Sequence, residues 1–64
     1  MENNFIDLLT NEGDETFVNI SLICFIKKDR NRTNCTLIYF SGNTSQSVRG
    51  STAEIRKKIQ EAGR

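Results

Sequence analysis

Histidine is absent from the 64 residues of this chain, and with it the usual chemistry of several enzyme classes. A serine or cysteine nucleophile has no imidazole base to activate it. The two cysteines, Cys24 and Cys35, are too few to complete a zinc site, which normally takes four ligands. Both lie in apolar stretches of predicted strands, which favours small buried side chains over a disulfide or a metal site.

Carboxylates in a setting suited to acid–base catalysis, and phosphate-binding loops, are also lacking. Glu12, Asp14 and Glu15 lie together in one predicted turn, where an exposed position gives no reason for their pKa values to separate as acid–base catalysis requires. Gly42 and Gly50 are not followed by the Lys-Ser/Thr pair of a phosphate loop. We therefore expect a protein that is not an enzyme and uses no cofactor or metal.

Long apolar runs are missing as well, since none approaches the roughly 20 residues that span a bilayer. The start of the chain, Met1-Glu2-Asn3-Asn4, is acidic and polar where a secretory signal is basic. We expect a cytoplasmic protein with no membrane partner. Four Asn-x-Ser/Thr triplets are then by-products of composition; they begin at Asn19, Asn31, Asn34 and Asn43.

Basic residues are absent from residues 1–26, which contain five acids. Residues 27–64 contain all nine Lys and Arg and only three acids. The two parts therefore carry formal charges of −5 and +6, whose sum is the net charge of +1. Such asymmetry can steer a nucleic acid, or it can pair one half with the other within or between chains.

The N-terminal third predicts a β-hairpin. An apolar segment, Phe5–Leu9, precedes the turn residues 11–14 (Asn-Glu-Gly-Asp), and alternating residues 16–20 (Thr-Phe-Val-Asn-Ile) follow. Residues 22–26 (Leu-Ile-Cys-Phe-Ile) are continuously apolar, after a possible bend at Ser21. They predict a strand that is buried on both faces, or on one face with an oligomer contact on the other.

The C-terminal part predicts two more strands and a helix. Residues 27–34 are a loop or a frayed strand end, 36–40 are a strand, 41–44 are its turn, and 46–49 are a weak edge strand. Ser51 and Glu54 fit a capping box. Ile55, Ile59 and Ala62 then form one apolar stripe that ends before Gly63.

The sequence thus predicts one small α+β domain over residues 1–64, a four- to five-stranded antiparallel β-meander (about 5–49) followed by one C-terminal α-helix (about 52–62). A chain of this length buries only about 60% of its unfolded surface. Association of copies would bury more, so we expect a homo-oligomer.

Two resemblances concern the order of these elements. The first rests on the positions Gly13, residues 16–20, Ile23, Ile26, Thr36, Leu37, Ser41, Gly42, Val48, Gly50, Ser51, Glu54, Ile55 and Ile59. With this pattern the chain resembles the small flagellar FlbD-like proteins over about residues 5–60, and the resemblance implies the same fold, a link to flagellar gene regulation and no catalytic residues.

A fainter resemblance, to the CsrA-like RNA-binding dimers, rests on residues 8–10, Gly13, Glu15 and the Glu54–Gln60 pattern. That family has basic residues where this chain has Asn11 and Glu12.

The leading functional prediction is a regulatory or adaptor module that acts through protein–protein contact, with itself and with another protein. An acidic hairpin and a basic loop can join protomers, and the edge strand offers unpaired backbone groups. The candidate interface residues are Ile23, Phe25, Ile26 and Val48.

The alternative prediction is a nucleic-acid-binding regulator. Cations of the 27–32 loop and the helix would contact phosphates if they share one face, and Tyr39 and Phe40 would stack on bases. The candidate residues are Lys27, Lys28, Arg30, Arg32, Arg49, Arg56 and Lys57.

Overall fold

Five antiparallel strands and one C-terminal helix account for most of residues 4–63, the part of the chain that the computed structural model describes. The α+β class is therefore confirmed. The acidic start at residues 1–3 lies outside the described residues. The elements are β1 (Phe5–Leu9), β2 (Glu15–Asn19), a 3-10 turn (Ile20–Leu22), β3 (Ile23–Lys28), β4 (Cys35–Phe40), β5 (Thr44–Arg49) and α1 (Thr52–Ala62).

The predicted hairpin is present, with β1 paired to β2 from Phe5↔Asn19 to Leu9↔Glu15. Its turn closes through two backbone hydrogen bonds, from the Thr10 amide to the Asp14 carbonyl and from the Gly13 amide to the Thr10 carbonyl, both 2.8 Å long. Gly13 has φ +94°, a backbone conformation that residues with a Cβ rarely adopt, which explains why glycine occupies this position.

The strands form two sheets, β1-β2 and β3-β4-β5, where the sequence predicted one meander. The interruption is the 3-10 turn, in which the Asn19 side chain accepts a hydrogen bond of 2.9 Å from the Ser21 amide. The sheets meet again at one bridge, Thr10↔Val48, and at a 3.0 Å hydrogen bond from the Asn11 amide to the Ser47 carbonyl. The end of the hairpin thereby covers part of the β5 edge.

The core is built from inward-facing side chains of β1, β2, β4, β5 and α1, since successive side chains of a strand point to opposite faces of its sheet. The cluster of buried apolar side chains is Ile6, Leu8, Val18, Ile38, Val48 and Ile55. Ile23, Ile26, Phe40, Ile59 and Ala62 pack against it, partly buried. The predicted docking of the helix through Ile55 and Ile59 is confirmed.

The burial of Val48 corrects its prediction as an interface residue. Its side chain is 0% exposed, because Thr10 of the hairpin pairs beside it and the core cluster encloses it. Val48 therefore presents no side-chain surface to a partner. Ile23 and Ile26 are half-buried against the core, so Phe25 is the most exposed of the four candidate interface residues.

Residues 22–26 are not buried on both faces, which was one interpretation of their sequence. Leu22 and Phe25 are exposed, and so is Cys24, which the sequence placed in the interior. The register of β3 shifts between Ile23 and Phe25, and this β-bulge takes Cys24 out of the regular alternation. Cys35 is buried as expected, and both cysteines are free thiols.

The helix begins with the predicted capping box. Ser51 Oγ accepts a hydrogen bond of 3.2 Å from the Glu54 amide, and Glu54 Oε1 accepts one of 2.8 Å from the Ser51 amide. This second bond is the main reason that the pKa of Glu54 lies below its ordinary value. Gly63 caps the other end, with its amide bonded to the Ile59 carbonyl. Within residues 4–63, α1 is too short to cross a membrane.

Candidate interaction surfaces

The side of the hairpin that faces away from the core carries an exposed aromatic pair. Phe5 and Phe17 stack with their ring centroids 4.7 Å apart, and Phe17 is 60% exposed. Leu9, on the same face of β1, is 41% exposed. We call this surface the hairpin face; the strand register assigns to it Phe5, Asp7, Leu9, Glu15, Phe17 and Asn19.

Two carboxylates lie among these apolar side chains, since Asp7 is opposite Phe17 and Glu15 is opposite Leu9. In residues 4–63 the one ion pair is Arg32–Asp29, so neither Asp7 nor Glu15 has a cation within 4.0 Å. A cleft of about 470 Å³ opens at this end of the hairpin. Its lining comprises Asp7, Leu8, Leu9, Glu15, Arg49 and Lys58.

The three-stranded sheet also has an exposed aromatic pair on the side away from the core. Phe25 and Tyr39 are opposite each other and stack with their centroids 4.5 Å apart. Phe25 is 53% exposed, and Lys27 Nζ lies 5.5 Å from the centroid of the Tyr39 ring. We call this surface the sheet face; its members are Phe25, Lys27, Leu37 and Tyr39.

The basic loop, residues 29–34, is anchored beside the sheet face by one acid, Asp29. Asp29 is 1% exposed, and its Oδ2 accepts a hydrogen bond of 2.6 Å from Ser47 Oγ. Its Oδ1 accepts from the Asn31 amide at 3.0 Å, and Arg32 Nη1 lies 3.2 Å from Oδ2. The Asp-x-Asn spacing is the local signal for such an Asx turn.

These hydrogen bonds set the ionisation of Asp29. The bond from Ser47 is the largest reason that the pKa of the Asp29 carboxyl lies below its ordinary value. Burial opposes this lowering, whereas the Asn31 amide and the Arg32 guanidinium reinforce it. The loop is thus held in place by a carboxylate that folding favours in its charged form.

Only some of the predicted nucleic-acid-binding residues come together. Lys27, Lys28 and Arg30 line one cleft of about 360 Å³, together with Leu37 of the sheet face. Arg32 is paired to Asp29, and Arg49 lies in the cleft beside the acids of the hairpin. Arg56 and Lys57 are exposed on α1. The candidate cations therefore belong to at least three parts of the surface.

Groups that could carry metal chemistry are not assembled in the described part of the chain. No cluster of three or more His, Cys, Asp or Glu side chains there could hold a metal ion. The two faces instead offer apolar side chains for contact, with a few charged side chains beside them.

The anchoring of the basic loop by Asp29 predicts that the stability of the protein depends on pH. Because folding lowers the pKa of Asp29, its contribution to stability is complete above the unfolded pKa, about 4, and is lost as the pH falls through the lower folded value. We expect Asp29→Asn to destabilise the protein at neutral pH and to lose part of this effect below about pH 4. Urea unfolding midpoints, followed by circular dichroism from neutral to acid pH, measure the difference.

The control for this experiment is Asp14→Asn, which removes an exposed carboxylate from the hairpin turn. A difference between wild type and Asp29→Asn that is equal in acid and at neutral pH would contradict the anchoring role.

Comparisons of the chain with family models, with curated proteins and with solved structures found no match. The FlbD-like and CsrA-like resemblances therefore stay predictions.

Proposed function

We propose that this protein is a small non-enzymatic interaction module, regulatory or adaptor in role, that works through protein contact. The observation that carries the proposal is the grouping of exposed aromatic side chains on the hairpin face and the sheet face, both opposite the core. Single exposed apolar residues are normal on a soluble protein. Stacked aromatic pairs beside further apolar residues are typical of interaction sites.

The energetics favour these residues as anchors of a contact. Fully burying a Phe side chain contributes about 1.5–3 kcal/mol from the hydrophobic effect. Phe17 and Phe25 each have more than half of their surface available for this. Aromatic residues also lose little conformational entropy when they are bound, which is one reason that they dominate binding energies at interfaces.

A nucleic-acid role has narrower support, namely the cluster of Lys27, Lys28 and Arg30 beside Leu37. The Tyr39 ring is already stacked on Phe25 and lies near Lys27 Nζ, so stacking on a base would have to compete with these contacts. Arg32 is engaged by Asp29, which reduces the charge available to a phosphate. Protein contact therefore explains more of the exposed surface.

The test is photo-crosslinking with benzoyl-phenylalanine placed at position 17 or 25 of the full chain, in the cells that produce it. We expect discrete protein adducts from both positions, to any protein including a second copy, and we expect untagged wild type to compete them away. Lys57, exposed on α1, is the matched control position.

Adducts no stronger at positions 17 and 25 than at position 57 would contradict the proposal. Adducts that disappear on nuclease treatment would favour the nucleic-acid role instead. In that case binding of a single-stranded oligonucleotide should also fall steeply between about 50 and 200 mM salt.

A further inference from the structure

We propose that the partner of the hairpin face is the sheet face of a second copy of this chain, so that copies associate head to tail. This inference rests on the proposed function, because it names the occupant of the two faces. It differs from a general expectation of oligomers in that it fixes which surfaces meet.

Charge complementarity supports this pairing. The hairpin face has Asp7 and Glu15 among its apolar side chains, and neither is in an ion pair within residues 4–63. The sheet face has Lys27, and its Leu37 borders the cleft that Lys28 and Arg30 also line. The outward charged side chains of the two faces are thus opposite in sign, and the cations nearest to the hairpin face, Arg49 and Lys58, lie in the cleft at its end.

The same charges disfavour the symmetric alternatives. A two-fold contact between hairpin faces would oppose Asp7 and Glu15 to their own copies. A two-fold contact between sheet faces would do the same with Lys27 and its basic neighbours. Like charges held together at an interface discriminate against the wrong pairing.

The two faces also have a similar strand arrangement and similar apolar content. Each is the outer side of paired antiparallel strands, and such surfaces pack face to face about 10 Å apart with interdigitated side chains. Phe17 and Leu9 would contact Phe25, Tyr39 and Leu37. Each strand of the hairpin has five residues and is only about 17 Å long. The area buried on this face is therefore below the roughly 800 Å² per partner of a standard interface, and we expect the contact to be weak.

The geometry has a consequence for assembly size. Because the two surfaces in contact are different, each dimer keeps one hairpin face and one sheet face at its ends. We therefore expect the average mass in solution to rise steadily with protein concentration rather than to stop at a dimer.

The test uses two variants that each block one face. Phe17→Asp blocks the hairpin face and Phe25→Asp blocks the sheet face, and both side chains are largely exposed, so the core is not disturbed. We expect each variant alone to be a monomer at every concentration. An equimolar mixture should form a 1:1 heterodimer and nothing larger, because only one competent pair of faces remains. Sedimentation equilibrium measures these masses.

The other outcomes separate this inference from the proposed function. A variant that still dimerises alone would overturn the head-to-tail pairing in favour of a symmetric contact. A wild type that stays monomeric at high concentration, with adducts from position 17 only to other proteins, would overturn the inference and leave the interaction module intact. A mixture that stays monomeric, although wild type associates, would show that other surfaces make the contact.

A charge exchange tests the same contact without altering an aromatic residue, in case an aspartate at position 17 or 25 prevents folding. Lys27→Glu should weaken association about tenfold, and adding Asp7→Lys on the same chain should restore part of it. Lys57→Glu is the matched control, since it makes the same charge change on α1. Equal weakening by Lys57→Glu, or no rescue by the double change, would contradict the proposed pairing.

Discussion

Replacing Ile38 by Ala is expected to lower the free energy of unfolding by about 3–4 kcal/mol, the middle of the range of about 2–5 kcal/mol found when a large aliphatic side chain is removed from a packed core. Ile38 is 0% exposed at the centre of β4, the strand that pairs on both sides and packs against α1. A domain of this size has a total stability of only about 3–10 kcal/mol. The variant should therefore lose a large fraction of its stability and unfold at a much lower urea concentration than wild type, which urea titration followed by circular dichroism would detect.

Two control substitutions test whether the loss of stability depends on the burial of Ile38. Ile38→Val keeps most of the side chain and should cost about 1 kcal/mol. Leu22→Ala removes a similar volume from an exposed position and should stay within about 0.5 kcal/mol of wild type. Equal effects of Ile38→Ala and Leu22→Ala would contradict the position of the core.

Gly50→Ala is the second substitution with a large expected effect. Gly50 has φ +119°, and a Cβ there would lie 3.2 Å from Ile55 Cδ1 and 3.6 Å from Glu54 Oε1. The backbone strain alone costs about 1–3 kcal/mol. The crowding adds to it, because Ile55 is fixed in the core and cannot retreat freely. We expect a loss of about 2–4 kcal/mol in the free energy of unfolding, measured by urea titration.

Gly50 also joins three segments through its backbone. Its amide donates to the Asn34 carbonyl at 2.8 Å, and its carbonyl accepts from the hydroxyl of buried Thr36 at 2.9 Å. Gly42→Ala is the matched control, since Gly42 has φ +90° but nothing within 4 Å of the added Cβ. If Gly42→Ala were as harmful as Gly50→Ala, the contact with Ile55 would contribute nothing.

The helix and the hairpin could be predicted from the sequence because their determinants are local. The Ser51–Glu54 capping box and the Ile55, Ile59, Ala62 stripe act within a few residues of one another. The turn around Gly13 likewise fixes the pairing of the residues beside it. The prediction of these elements needed no knowledge of what packs against them.

The errors arose where distant segments meet. Val48 is surrounded by polar residues in the sequence, and its burial depends on Thr10 arriving beside it from the hairpin. Cys24 is exposed by a register shift against β4. Asp29 is anchored by Ser47, 18 residues away. No local pattern contains these contacts.

The candidate surfaces could be predicted from the sequence only in part. Phe25 was predicted as an interface residue and proves exposed, whereas the hairpin face was not singled out. Phe5 and Phe17 were interpreted as ordinary strand residues, since an apolar residue in a short hairpin does not reveal which face meets the core. The grouping of Lys27, Lys28 and Arg30 with Leu37 depends on the pairing of β3 with β4, which the sequence does not show.

The separation of core-facing from outward-facing residues on the strands has a consequence for divergence. Substitutions at Asp7, Phe17, Phe25 or Lys27 alter what the molecule can contact while leaving the residues that fold it unchanged. Descendants of a duplicated gene can therefore become insulated from each other by exchanging a few outer charges. The inward residues, held by packing, stay under a separate and much tighter constraint.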